Sequence, residues 1–434
     1  MKKIAKFKKE GFVTYYGSDE AVLIPDEYKE KQEELRGVWF STVANIDVAK
    51  MTSVESYKEY LKSVIKRVKE YKMNTVIFQA RPTNDAFYKS KLNPWSAYIT
   101  GIEDKYPGFD VFGFFIEEAK KENIEVHAWI NPYRVCQKRL KDLNTNKDDF
   151  LKTLSEKNFA RKRPDLVIET SETKLILDPS SEEVMEFVSD SVLEIAENYD
   201  IKAVHIDDYF YPYEEICDDK EQEKYLKWKK NDESLSDFRR DNVNRMIKLI
   251  HDKLARLPKK VEFGISPFGI FRTHSKYFES GVGGWDKGSD NHEKCLQCYD
   301  RLYADVYLWM KEKWIDYVVP QVYFDLDNSK PKEDGSLEEI TLVKYADLVK
   351  WWSGICKETN TKLYIGQAFY RYSDKGNWSN PEEIINQLRY NQNYDNISGT
   401  IYFTYNSFVK EDVVALVEGR KLLKTIWTKE VKPV

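Results

Sequence analysis

The sequence predicts an α/β protein, a (β/α)8 TIM barrel with enlarged βα loops. Eight short apolar segments lie between residues 35 and 425, and each precedes a stretch whose apolar residues recur at helical spacing. The segments are near-continuous in Val, Ile, Phe and Ala rather than strictly alternating, which marks strands buried on both faces of a parallel sheet. No Pro-, Gly- or Ser-rich linker divides them, and eight such units are the number that closes a barrel. A doubly wound open sheet would bring a Gly-rich first turn, and residues 42–45 (Thr-Val-Ala-Asn) lack one.

Residues 1–33 are polar and charged and read as an N-terminal extension, with 11–17 either a short hairpin or a lead-in. The barrel is expected over 34–426, and 427–434 as a C-terminal tail. Strand one spans 36–43, followed by a helix over 53–71 with Tyr57, Tyr60, Leu61, Val64, Ile65 and Val68 at helical spacing. Strand two spans 74–80, with a helix over 110–122 after a long loop. Strand three spans 124–130. A charged, turn-rich loop over 135–172 follows it, with a short strand near 174–178 and a helix from 179 to about 198. Strand four spans 201–207; a charged insertion over 214–233 leads to a helix over 234–257. Strand five spans 261–266, and another long loop leads to a helix over 303–314. Strands six, seven and eight are expected at 315–323, 362–368 and 397–403. Their helices are expected at 340–357, 381–390 and 411–424. Long loops of this kind in a compact domain are usually functional, and all of them follow a strand, so they share one face of the barrel.

The chain has 434 residues, 41% hydrophobic and 32% charged, with a formal charge of −5. No basic stripe is present, so nucleic acid is not an expected partner. No 18-residue apolar run occurs, so no membrane span is expected. The basic N-terminus lacks an apolar segment after it; as written the chain reads as cytoplasmic, and an exported chain with its signal removed would read the same. Five cysteines include one CxxC, Cys295 and Cys298. A zinc site would need a second pair or suitably spaced histidines, so free thiols and no metal or cofactor are expected. Aromatics reach 14%, with 29 Tyr and 11 Trp. They serve either a large core or the apolar faces of a bound sugar; Trp39, Trp95, Trp129, Tyr133 and Tyr209 are candidates for the second role.

Residues at the carboxyl ends of barrel strands are the ones placed to bind and react. Asp207 and Asp208 close the apolar strand four and run into Tyr209, Tyr211 and Tyr213. Two adjacent carboxyls resist double ionisation, so one can stay neutral as an acid beside an ionised partner, the pair that glycoside hydrolysis uses. The other strand ends supply Arg36, Gln79, Arg81, Asn131, Tyr133, His205, Ser266, Arg272, Gln321, Tyr323, Asp325, Gln367 and Tyr402. Carboxylates are absent from the end of strand seven and concentrate on strand four. His127 and His205 could join Asp207 around a metal, the basis of an alternative as a metal-dependent hydrolase. No Gly-x-Ser-x-Gly elbow and no phosphate-gripping Gly-rich loop occurs.

Several motifs carry a family resemblance: Leu35-Arg-Gly-Val-Trp39, Phe78-Gln-Ala-Arg-Pro82, Ala128-Trp-Ile-Asn-Pro-Tyr-Arg134, Leu177-Asp-Pro179, His205-Ile-Asp-Asp-Tyr-Phe-Tyr-Pro212, Gly264-Ile-Ser-Pro-Phe-Gly269 and Pro320-Gln-Val-Tyr323. In this order, over roughly 34–425, the chain resembles the glycosyl-hydrolase-like 10 family. The resemblance implies a TIM-barrel glycosidase acting on an oligo- or polysaccharide; one branch of the family cleaves peptidoglycan strands stripped of their peptides. A shorter likeness joins Gln321-Val-Tyr323-Phe-Asp325 to the strand-six motif of chitinase-type N-acetylhexosaminidases, in which the substrate's acetamido group attacks C1. It implies Asp207 and Asp208 as general acid and its helper, and Tyr323 as hydrogen-bond partner of the acetamido oxygen. The alternative is a barrel that binds carbohydrate without cleaving it.

Overall fold

Each of the eight apolar segments forms a strand of one closed, all-parallel barrel: β1 (Leu35–Phe40), β2 (Thr75–Arg81), β3 (Glu125–Ile130), β4 (Ala203–Ile206), β5 (Glu262–Ile265), β6 (Tyr317–Val318), β7 (Lys362–Gln367) and β8 (Ile397–Tyr402). Strands pair with their sequence neighbours, and β8 closes on β1 through Thr400 opposite Arg36. The structure is a computed structural model that describes residues 1–216, 219–328, 330–331 and 339–434. β6 is much shorter than the expected 315–323. Pro320 has no N–H to give the ladder, and pairing resumes only as bridges at Gln321.

Successive strand residues face opposite sides, and here that alternation separates two cores. Leu35, Trp39, Ile77, Trp129, Ala203, Tyr317, Val319, Tyr364 and Ile401 point inward and fill the barrel. The larger core lies between the sheet and the surrounding helices. Gly264 lets the interior close: a Cβ there would stand 1.9 Å from the Tyr317 ring. The Tyr317 hydroxyl meets His127 Nδ1 at 2.8 Å and His205 Nδ1 at 3.1 Å, so a packed polar knot floors the barrel mouth.

The eight outer helices are α1 (Val54–Glu70), α2 (Val111–Lys121), α3 (Glu182–Asn198), α4 (Leu235–Leu254), α5 (Val306–Lys311), α6 (Tyr345–Thr359), α7 (Glu383–Asn391) and α8 (Val414–Ile426). Their starts are written in side chains. Ser53, Asp110, Ser181 and Ser234 each accept from a backbone N–H of the first turn. α1 buries Tyr57, Leu61, Val64, Ile65 and Val68 of the face the spacing predicts, and leaves Tyr60 half-buried. Each such side chain contributes roughly 1.5–3 kcal/mol over exposure.

The enlarged loops carry structure of their own. Between β3 and α3 lie Arg134–Cys136, Leu175–Leu177 and Val167–Glu169, an antiparallel sheet the charged composition hid except for its middle strand. The insertion after β4 holds a helix, Asp219–Trp228, where a loop was expected. Within 1–33, Lys2–Lys3 pairs with Leu23–Ile24, and the segment lies on α6 through Lys344 Nζ donating to Thr14 O at 2.7 Å. Cys136, Cys295, Cys298 and Cys356 are free thiols; Cys217 lies outside the described residues.

Candidate active site

At the carboxyl ends of the strands lies a cavity of about 260 Å³. β1 and its loop give Trp39, Ser41 and Val43; β2 gives Gln79; β3 and its loop give Trp129 and Arg134. Asp207, Asp208, Tyr209 and Tyr213 follow β4, Ser266 follows β5, and Gln321 and Tyr323 follow β6. Tyr370 and Phe403 complete the wall. Trp39 and Phe403 stand 6.0 Å apart, Phe403 and Tyr323 5.9 Å, so one side of the cavity is aromatic. Asp207 and Asp208 are the only carboxylates among its described lining residues.

The two carboxyls are adjacent in sequence and differently held. Asp207, 4% exposed, accepts from Trp129 Nε1 at 3.0 Å, from Asn131 Nδ2 at 3.1 Å and from the Tyr209 N–H at 3.2 Å. Burial raises its pKa; the charge of Arg134 and these donors pull against that. Asp208, 3% exposed, accepts from the Tyr213 hydroxyl. Burial and then the neighbouring Asp207 charge push it up to about 6, with Tyr213 and Gln321 working the other way. The cavity therefore holds one carboxyl furnished with donors for its anion and one biased toward keeping its proton.

Of the residues singled out in the sequence, Asp207, Asp208, Tyr323, Gln79, Tyr209, Ser266 and Gln321 meet in this cavity, with Trp39 and Trp129. Gln79 Oε1 is pinned by the N–H groups of Thr42 at 2.9 Å and Val43 at 2.8 Å, tying β2 to the first βα loop. Asn131 stands behind Asp207 and orients it. His205 lies beneath, with Nε2 on Ser266 Oγ at 2.9 Å and Nδ1 on Tyr317, so both ring nitrogens have protein partners. Among the described residues no three His, Cys, Asp or Glu side chains converge as a metal site. Tyr133 is buried beside the cavity, facing a recess it shares with Asn131 and Tyr209.

Seven expectations are corrected in placement. Arg36 is buried at the amino end of β1, paired with Glu34 at 3.0 Å and over the Trp427 ring. Arg81 follows a bulge and turns outward, held by Asn93, Asn84 and the carbonyl of Asn131. Gln367 and Tyr402 alternate outward: Gln367 donates to Tyr345 and Gln387, and Tyr402 packs on Phe369 and Trp427. Arg272 pairs with Asp300 at 3.0 Å, away from the cavity. Asp325 accepts from Asn377 and faces a separate surface pocket. Trp95 packs against Tyr106, outside the cavity lining.

Sequence reasoning passed over Arg134, Tyr213, Tyr370 and Phe403 as site residues. Arg134 and Tyr213 sit within four and seven residues of a strand end, which was signal enough. It also passed over Asp47, whose buried carboxylate accepts from Ser41 N (2.7 Å), Thr404 Oγ1 (2.8 Å) and Asn406 N (2.7 Å) and so staples the first and last βα loops. Burial pushes it up to about 7.

A family profile described as glycosyl hydrolase-like 10 matches residues 34–381. The chain is 36% identical over 389 residues to a Bacillus subtilis (strain 168) protein named glycosyl hydrolase YngK, covering 88% of this chain and 70% of that one. It is 30% identical over 403 residues to glycosyl hydrolase DigH of Escherichia coli (strain K12), covering 87% and 84%. Among solved structures, α-L-fucosidase isoenzyme 2 from Paenibacillus thiaminolyticus superposes with a TM-score of 0.52 at 8% identity, over 91% of this chain and 49% of that one. That last likeness is one of fold.

Proposed function

This chain belongs to the glycosyl hydrolase-like 10 family, and from that premise we propose that it is a glycoside hydrolase cleaving a β-linked, N-acetylated glycan, a peptidoglycan-type or chitin-like strand. The observation that carries the reading is the pair of unlike carboxyls in one aromatic-walled cavity. Asp208, with its pKa pushed up to about 6, is the general acid. It gives its proton to the glycosidic oxygen as the bond to C1 breaks. Asp207, supplied with donors for its charged form, stabilises positive charge growing at C1 and orients the acetamido N–H. No carboxylate stands opposite them among the described lining residues, so the nucleophile is assigned to the substrate's own acetamido oxygen. Tyr323 donates its hydroxyl to that oxygen and holds it near C1. Water then opens the cyclic intermediate, returning a proton to Asp208. A bond broken in two easier steps by groups already in place is the usual way such sites lower a barrier.

The test is incubation with peptide-free peptidoglycan strands and with chitin oligomers, products read by mass spectrometry. Shortened strands that keep their N-acetyl groups are expected. Sugar bound without cleavage would make the protein a carbohydrate-binding barrel, and released acetate without cleavage a deacetylase.

A further inference from the structure

We propose that Arg134 pairs with a carboxylate carried by the glycan, so that the cavity takes acidic strands in preference to neutral ones. The inference rests on the hydrolase reading and names the substrate class within it. Arg134 stands four residues past the end of β3 and is 8% exposed. One of its guanidinium nitrogens donates to Pro82 O at 3.1 Å, and the guanidinium lies over the Tyr209 ring, 4.5 Å from its centroid. Among the described residues no carboxylate lies at ion-pair distance from it. The other buried arginines are furnished differently. Arg36, Arg240 and Arg420 each have a carboxylate at 3.0 Å or less, and Arg81 is ringed by acceptor oxygens of Asn84, Asn93 and Asn131.

Arg134 lines both the cavity beside Asp207 and the adjoining recess of Asn131 and Tyr209. Asp207 feels the positive charge, yet its carboxylate is not within ion-pair distance of the guanidinium and is oriented by Trp129 and Asn131. The nearby Lys174 has its counter-charge in Glu214. A buried guanidinium left with one acceptor is costly to keep. Stacking on Tyr209 offsets part of that cost and fixes the plane of the fork, with an edge free to meet a carboxylate in the two-pronged fashion that suits it. On an N-acetylated β-linked glycan such a group comes from a carboxyethyl ether on the amino sugar or from an alternating uronic acid.

The experiment compares kcat/KM of the whole protein on peptide-free peptidoglycan strands with free carboxyls, the same strands with those carboxyls amidated, hyaluronan-type oligosaccharides and neutral chitin oligomers. Wild type is expected to prefer free over amidated strands by about 10- to 100-fold, the worth of a hydrogen bond to a charged group. Arg134→Gln should bring that ratio close to 1, with Arg134→Lys between. The arm that shows the preference, carboxyethyl or uronate, identifies the source. Equal rates on free and amidated strands in wild type would overturn the proposal without any variant. So would an equal loss on both strands in Arg134→Gln, since Arg134 would then act only through Asp207. Wild type that cuts none of the four substrates would overturn the hydrolase reading, and this proposal with it.

Discussion

The two ends of the barrel both bury charge and treat it oppositely. At the amino end, Arg36 lies fully buried between Glu34 at 3.0 Å and Glu30 at 3.6 Å, donates to Lys429 O at 3.0 Å and stacks on Trp427. At the carboxyl end, Asp207 and Asp208 lie side by side as like charges, and Arg134 faces a cavity with one protein acceptor. Matched burial holds a fold together; unmatched burial shifts pKa values and waits for a ligand. The same fold thus spends its polar residues on stability at one end and on chemistry at the other.

The contrast is sharpest in variants. Asp208→Asn should cut turnover of a natural strand by about 10³-fold, within the range for a lost general acid, while the protein folds and melts no lower than wild type. Asp207→Asn should lose activity to a similar degree. Arg36→Met should do the reverse: leaving Glu34 buried without its partner costs about 3–5 kcal/mol of stability, with kcat per folded molecule unchanged. Denaturant melts and active-site titration separate the two patterns, and a stability loss in Asp208→Asn as large as that in Arg36→Met would break the comparison.

pH tests the same division. Burial lifts Asp208 from 3.8 to about 6. Below 3.8 it is protonated folded or unfolded and costs nothing. As pH rises toward 6 the unfolded chain ionises first, so stability falls through that window and stays lower above it. Asp208→Asn should therefore raise Tm above pH 6, with the difference closing near pH 4. A smaller effect is expected from Tyr213→Phe. The Tyr213 hydroxyl holds the Asp208 pKa down, so its loss should move the alkaline limb of kcat/KM to higher pH.

Much of this was legible in the sequence because the strands were largely apolar on both faces and several helices carried a capping side chain. The barrel count, the strand-four carboxyls and the helix faces followed from periodicity alone. What failed was parity. Trp39, Gln79, Trp129 and Asp207 line the cavity because they alternate inward, and Gln367 and Tyr402 do not because they alternate outward. Arg81 lay beyond that rule, since the bulge between Gln79 and Arg81 resets the register. The β6 boundary and the sheet inside the charged loop depended on a proline and on tertiary pairing, which composition does not carry.

The central claim is that Asp208 protonates the leaving group, and a substrate whose leaving group needs no proton tests it most directly. On a dinitrophenyl N-acetyl-β-glucosaminide, Asp208→Asn should keep kcat/KM, which reports the bond-breaking step, within about 10-fold of wild type and show no alkaline limb near pH 6, while Asp207→Asn stays inactive. An Asp208→Asn variant as inactive on the dinitrophenyl glycoside as on natural strands, or one that keeps that limb, would contradict it.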